Sequence, residues 1–290
     1  SGLRTFGFHG APLPTPNSWM GTKTTIVADS VIRITGTTPT TYDQSNAVKL
    51  LRHTSVNKRF TSQPFSITQG TFYQIKFYAQ GKGDIMSGLW TGKSGSTFGY
   101  LNDGSYETVN NSTTSTSPWW VYTDYVMADT TTSSAELVFW IRNTVSANND
   151  LSLDKVSVTT VVPIFKSIYD IQYSTAVSGD SPEKNNFIST SGIVTAKSIF
   201  GYFIQDGTGE WKGIYVDDRN NAANVNLGDN ITVTGVVKEN FGQTVITAVV
   251  QKTLNSSGNA LPLATWLATN DVKQEKYEGV LVKVGNAQCI

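Results

Sequence analysis

The chain has 290 residues with 22 basic and 22 acidic side chains, so its formal net charge is zero. Only 15% of residues are charged and 39% are hydrophobic, which excludes a disordered chain and argues against a general polyanion binder. The length suits two domains better than one, and no run of 18 apolar residues exists that could form a membrane-spanning helix.

Thr and Ser together supply 66 residues, a bias toward strands and turns that suits an all-β, exported protein. Cys289 is the single cysteine, so the fold must stand on its cores without an internal disulfide. From Ser1 onward no signal peptide is visible, and Tyr277–Ile290 reads as the opening of a further strand.

In chain order, residues 1–162 show short alternating runs separated by Gly, Ser, Thr, Asn and Pro, the pattern of a sandwich. The predicted strands are Ala47–Leu51, Lys58–Phe65, Thr71–Gln80, Ile85–Thr91, Trp119–Met127, Ala135–Asn143 and Ser152–Val158. Along the third of these, Tyr73, Ile75 and Phe77 form the better core face. The stretch Asn110–Pro118 is small and polar and reads as an exposed loop.

Val161-Val162-Pro163 reads as a hinge. Five further strands are expected at Thr190–Ser198, Gly201–Asp206, Gly213–Asp217, Asn230–Glu239 and Gln243–Lys252, the last two joined at Asn240-Phe241-Gly242. Five antiparallel strands in about 90 residues suit an OB-type barrel. A short helix is expected within Ala264–Tyr277. The fold class is therefore all-β: a β-sandwich (jelly roll) at 1–162, a five-stranded OB-type barrel at 163–262, and the start of a further OB repeat at 263–290.

Catalytic signatures are absent from the sequence. His9 and His53 stand outside any metal-ligand spacing, and no nucleophile elbow, phosphate loop or Cys-x-x-Cys occurs. Gly92-Lys93-Ser94 has the wrong upstream glycine spacing for a phosphate loop. The carboxylates Asp103, Glu107, Asp124 and Asp129 read as solvated acids at strand ends.

The first half resembles the jelly-roll carbohydrate-binding modules attached to secreted glycosidases. The residues that carry this are Gln63-Pro64-Phe65-Ser66-Ile67, Gly70-Thr71-Phe72-Tyr73 and Leu151-Ser152-Leu153-Asp154-Lys155-Val156-Ser157-Val158. The second half resembles the OB-fold domain of secreted bacterial nucleases and multidomain surface proteins of the Bacteroidota type. Its residues are Ile171-Gln172-Tyr173-Ser174, Gly201-Tyr202-Phe203-Ile204-Gln205-Asp206-Gly207 and Val233-Thr234-Gly235-Val236-Val237. Together the resemblances imply an extracellular or cell-surface location, with the chain as type IX secretion system cargo that contacts that machinery.

Sugar-binding surfaces present flat aromatic rings beside polar groups. Trp119 and Trp120 must face opposite ways on one strand. The set Trp119, Val121, Thr123 and Tyr125 looks more core-like, which leaves Trp120 and Tyr122 as exposed sugar-binding candidates, with Trp90 as a further one. The jelly-roll resemblance implies a structural Ca2+ at Asp154; no other cofactor is expected. On the barrel, Tyr202, Phe203, Trp211 and Tyr215 are candidates for stacking bases on the OB face. Residues 163–262 hold 7 Lys/Arg against 9 Asp/Glu, so nucleic acid is not the expected partner. The leading function is a non-catalytic, extracellular glycan-binding or adhesion region of a larger protein whose catalytic domain, if any, lies elsewhere. The alternatives are an accessory, nucleic-acid-positioning region of a secreted nuclease and a purely structural spacer.

Overall fold

The structure is a computed structural model that describes residues 4–6, 19–36, 41–42, 46–51, 55–93, 99–102, 105–111, 119–142 and 150–285. His9, His53, Ser94, Asp103, Cys289 and residues 112–118 lie outside these segments. The chain divides into two compact units, Ser1–Val162 and Pro163–Ile290.

The first unit has eleven strands among its described residues: β1 (Arg4–Phe6), β2 (Val31–Thr35), β3 (Asn46–Leu51), β4 (Lys58–Thr61), β5 (Phe65–Ile67), β6 (Phe72–Trp90), β7 (Tyr100–Leu101), β8 (Glu107–Asn111), β9 (Trp120–Met127), β10 (Thr132–Arg142) and β11 (Asp150–Val161). The two strands expected over 71–91 are one continuous strand, β6, which belongs to both layers of a sandwich. Its first half pairs with β9 and β11, and its second half with β10, β8 and β7. Gly81 and Gly83 stand at the crossing with φ of +114° and +148°. A Cβ on Gly81 would lie 2.0 Å from the Asp150 carbonyl oxygen, so this passage between layers needs glycine.

Tyr73, Ile75 and Phe77 are buried as the alternation predicts, in a core shared with Leu50, Phe60, Leu137, Phe139 and Leu153. Trp19 lies fully buried in that core, with its ring stacked on Phe60 at 4.6 Å. Asn110 and Asn111 end β8 rather than open a loop. Asn111 is buried because its side chain accepts the Gly81 N–H at 2.7 Å.

The second unit contains β12 (Ile164–Phe165), α1 (Ile168–Gln172), β13 (Phe187–Lys197), β14 (Gly201–Gln205), β15 (Gly213–Asp217), β16 (Asn230–Asn240), β17 (Gln243–Ser256), β18 (Thr265–Leu267) and β19 (Val282–Val284). Strands run in the order β13-β14-β15-β17-β16, and β16 pairs back onto β13, which closes a five-stranded barrel. β15 and β17 are parallel; the other contacts within the barrel are antiparallel. The hairpin between β16 and β17 turns at Phe241 and Gly242, both at positive φ, with Asn240 opposite Gln243. Ile168 and Ile171 of α1 join the barrel core with Ile188, Ile204, Val216 and Val233.

The helix expected within Ala264–Tyr277 is corrected. Thr265–Leu267 is a strand paired in parallel with β19, and only Glu275–Tyr277 makes a single 3-10 turn. Thr265 and Trp266 favour extended backbone. A turn at Asp271, whose N–H donates to the Ala268 carbonyl at 2.9 Å, then redirects the chain. Residues 276–281 are tied to the barrel instead. The Trp211 N–H donates to the Lys276 carbonyl at 2.7 Å, and the Leu281 N–H donates to Gln205 Oε1 at 2.7 Å. The α-helix found among the described residues, Ile168–Gln172, is unanticipated from periodicity because it is barely one turn long. Its signal is the Ser167–Asp170 capping box.

Candidate functional site

The sandwich has an open edge where β8 and β9 follow one another along the same side of β6. Register decides which side chains look inward there. Trp120 lies opposite Ala79, Tyr122 opposite Phe77 and Asp124 opposite Ile75, and all three partners belong to the core. Trp120, Tyr122 and Asp124 therefore share the inner face of β9. Trp119 is buried and Trp120 exposed as expected, but the expectation that Val121 and Thr123 face the core and that Tyr122 is exposed is corrected. Val121 is exposed, as is Thr123.

Each inner residue of β9 meets a different environment. Tyr122 stacks on Phe77 at 5.3 Å, and its hydroxyl is buried with no hydrogen-bond partner among the described residues. Burial, then the nearby Glu107 carboxylate, pushes the phenol up to about 12, so it stays a neutral donor at any ordinary pH. Deeper along the strand, Asp124 Oδ2 accepts the Ser87 hydroxyl. Ser87 lies opposite Phe139 on the other layer, so this bond spans the two layers. At the outer end Trp120 is 43% exposed although it points to the inner side. Along the inner face of β9 an exposed indole is thus followed by a phenol with a buried hydroxyl and a hydrogen-bonded carboxylate.

Trp90 has a different setting. Lys23 Nζ sits 4.1 Å from its ring centroid, and Gly92, at φ +72°, folds back so that a Cβ there would touch the ring at 3.1 Å. One ring face is thereby occupied by a cation, and Trp90 serves packing of the 20–26 segment. Neighbouring aromatics on this outer face are likewise engaged: Tyr100 packs edge-on to Trp140 at 5.2 Å, and Arg142 covers Tyr106 at 3.8 Å.

Asp154 is buried. Its Oδ2 accepts the Tyr42 N–H at 2.8 Å and its Oδ1 accepts the Lys155 N–H at 2.7 Å. The carboxylate thus anchors Tyr42, whose ring stacks on Tyr78 at 3.7 Å. Among the described residues, no three His, Cys, Asp or Glu side chains gather in a way that could hold a metal ion. Calcium prefers six to eight oxygens.

On the barrel, Tyr202 is corrected from surface to core. It is fully buried, and its hydroxyl donates to Asp218 Oδ2 at 3.0 Å. Burial, then the Asp218 charge, pushes its pKa far above the ordinary phenol range. Phe203 and Tyr215 form a cross-strand pair on the outer wall, 4.9 Å apart. Trp211 lies away from that pair, in the β14–β15 connection, edge-on to Tyr173 at 5.6 Å. The four expected stacking residues therefore do not form one platform.

No family model matches the chain, and no curated protein matches it. Solved structures do show similarity. An arabinose-bound α-L-arabinofuranosidase matches 56% of this chain at 14% identity and a TM-score of 0.40, and the match covers 26% of that enzyme's length. A xylan-binding domain from Paenibacillus barcinonensis matches 55% of this chain and 93% of its own, at 13% identity and a TM-score of 0.37. The K1 cleaved adhesin domain of Lys-gingipain from Porphyromonas gingivalis matches 55% of this chain and 98% of its own, at 12% identity and a TM-score of 0.36.

Proposed function

We propose that this chain is a non-catalytic, extracellular carbohydrate-binding region whose sandwich unit takes its ligand on β9, around Trp120. The observation that carries this reading is the indole of Trp120, exposed on the inward side of an edge strand above Tyr122 and Asp124. A pyranose has one apolar face and an edge of hydroxyls. The ring face suits the exposed indole of Trp120, which the buried Tyr122, stacked on Phe77, supports from the same inner face of β9.

Affinity electrophoresis across β-glucan, xylan, galactan and mannan tests the assignment. At least one polysaccharide retards the native protein. Trp120→Ala weakens that retardation by about tenfold or more, since a lost aromatic contact of this kind costs roughly 1.5 kcal/mol. Trp90→Ala leaves it within about twofold, because that ring already holds Lys23. Unretarded migration in all four gels would remove the proposal and leave a spacer.

Location outside the cell rests on the Ser/Thr-rich β-units and on the sequence resemblance to exported modules. No helix among the described residues is long and apolar enough to cross a membrane. Fractionation of the native host is expected to place the protein at the surface or in the medium; retention in the cytoplasm would contradict it.

A further inference from the structure

We infer that the barrel unit carries a second sugar site, independent of the first, in the pocket beside Tyr169 and Tyr173. The pocket has a volume of about 690 Å3, within the range of small-ligand sites. Its aromatic wall is built by local sequence. The Ser167–Asp170 capping box fixes the start of α1, which sets Tyr169 and Tyr173 one helical turn apart. Their rings stack at 5.2 Å and 10° and stay 38% and 44% exposed, with Lys212 Nζ 5.4 Å from the Tyr169 centroid, so Tyr173 is the ring offered to a ligand. Trp211 braces Tyr173 from the side at 80°. It does so from a left-handed backbone, φ +64°, that is strained for tryptophan and is held by the Lys276 carbonyl.

Much of the remaining lining is polar. Ser174, Thr175, Ser178 and the Asp180–Lys184 ion pair supply it. This loop is pinned in place: Ser174 Oγ donates to the Asp180 carbonyl at 2.7 Å, and Ser181 Oγ to the Ile171 carbonyl at 2.5 Å. Exposed rings that line one pocket with hydroxyl and charged side chains select a ligand with an apolar face and a polar edge. Asp170 and Asp180 outnumber Lys184 among the lining charges, which disfavours an acidic ligand. The chemical class is a neutral pyranose.

Saturation-transfer NMR on the full chain, with cellobiose, xylobiose, maltose and mannobiose as probes, tests this. The Trp120→Ala background silences the sandwich site. In that background at least one disaccharide still receives saturation. Adding Tyr173→Ala weakens its binding by about tenfold or more. Ser178→Trp, at an exposed loop position that leaves the ring cluster intact, blocks the pocket to the same extent. If no disaccharide binds the Trp120→Ala protein, or if both pocket variants bind as well as their parent, the second site is wrong. A partial loss on Trp120→Ala that leaves disaccharide binding sensitive to Tyr173→Ala bears only on the sandwich site, and absence of polysaccharide retardation with such binding intact overturns only the first reading, so the two fail separately.

Discussion

Replacing Glu136 with alanine is expected to lower the melting temperature of the sandwich unit by about 10 °C. Glu136 is fully buried on β10, and its carboxylate is satisfied by four donors. Oε1 accepts the Thr22 N–H at 2.8 Å and the Thr22 hydroxyl at 2.6 Å. Oε2 accepts the Lys23 N–H at 3.0 Å and the Thr61 hydroxyl at 2.7 Å. Gly21 passes so close that a Cβ there would lie 2.4 Å from the carboxylate. Removing the acceptor strands two backbone N–H groups and two hydroxyls, at roughly 1–3 kcal/mol for each group left buried. Water entering the vacated space recovers part of that, so about 3 kcal/mol remains, which converts to the stated shift for a unit of this size. Tryptophan fluorescence is the natural readout, because five of the seven tryptophans lie in this unit and Trp90 should lose its Lys23 cover. A melting temperature within about 2 °C of the parent would show that segment 20–26 is held by something else.

The barrel is expected to lose stability between about pH 5 and pH 8, and Glu278→Gln is expected to abolish most of that loss. Glu278 Oε1 accepts the Thr244 N–H at 2.9 Å and lies 3.5 Å from Gln172 Nε2. Burial is the largest influence on its carboxyl, and the neighbouring Glu275 and Glu239 add to it. They push it up to about 7 against the pull of those two donors. A carboxyl raised in the folded state holds its proton more tightly there than in the unfolded chain. Its contribution is therefore complete below the ordinary glutamate range and is lost as pH rises through about 7. Because the group is partly solvated, the loss is discounted to roughly 1–2 kcal/mol. The groups whose pKa values are lowered here, such as Asp170, Glu183 and Asp229, matter only in more acidic solution. Calorimetry of the barrel transition at about pH 5, 6.5 and 8 checks this. Equal stability at all three values, or a Glu278→Gln protein that declines as steeply as its parent, would contradict it.

Alternation made much of the fold legible. Tyr73, Ile75 and Phe77 are buried as read, and the Asn240-Phe241-Gly242 corner turns where the sequence places it. The face of β9 was not legible, because the rule that the apolar side points inward fails at this open edge. There Val121 faces solvent, while Asp124 points inward and is satisfied by Ser87 from the other layer. Glu136 was equally hidden, since the Thr22 that satisfies it lies 114 positions away. Trp120 is exposed as read, although its register opposite Ala79 places it on the inner side of the strand. Tyr169 and Tyr173 escape notice because a five-residue helix leaves too short a pattern to read.

The central claim is that sugar meets the indole of Trp120, and 15N-resolved NMR of the indole N–H groups of the intact chain tests it most directly. Assignment by Trp120→Phe identifies the resonance. Titration with the polysaccharide fragment that binds best should shift the Trp120 cross-peak progressively and to saturation, while the buried Trp19 and Trp140 stay fixed. A saturable titration in which the Trp120 resonance does not move would contradict the account.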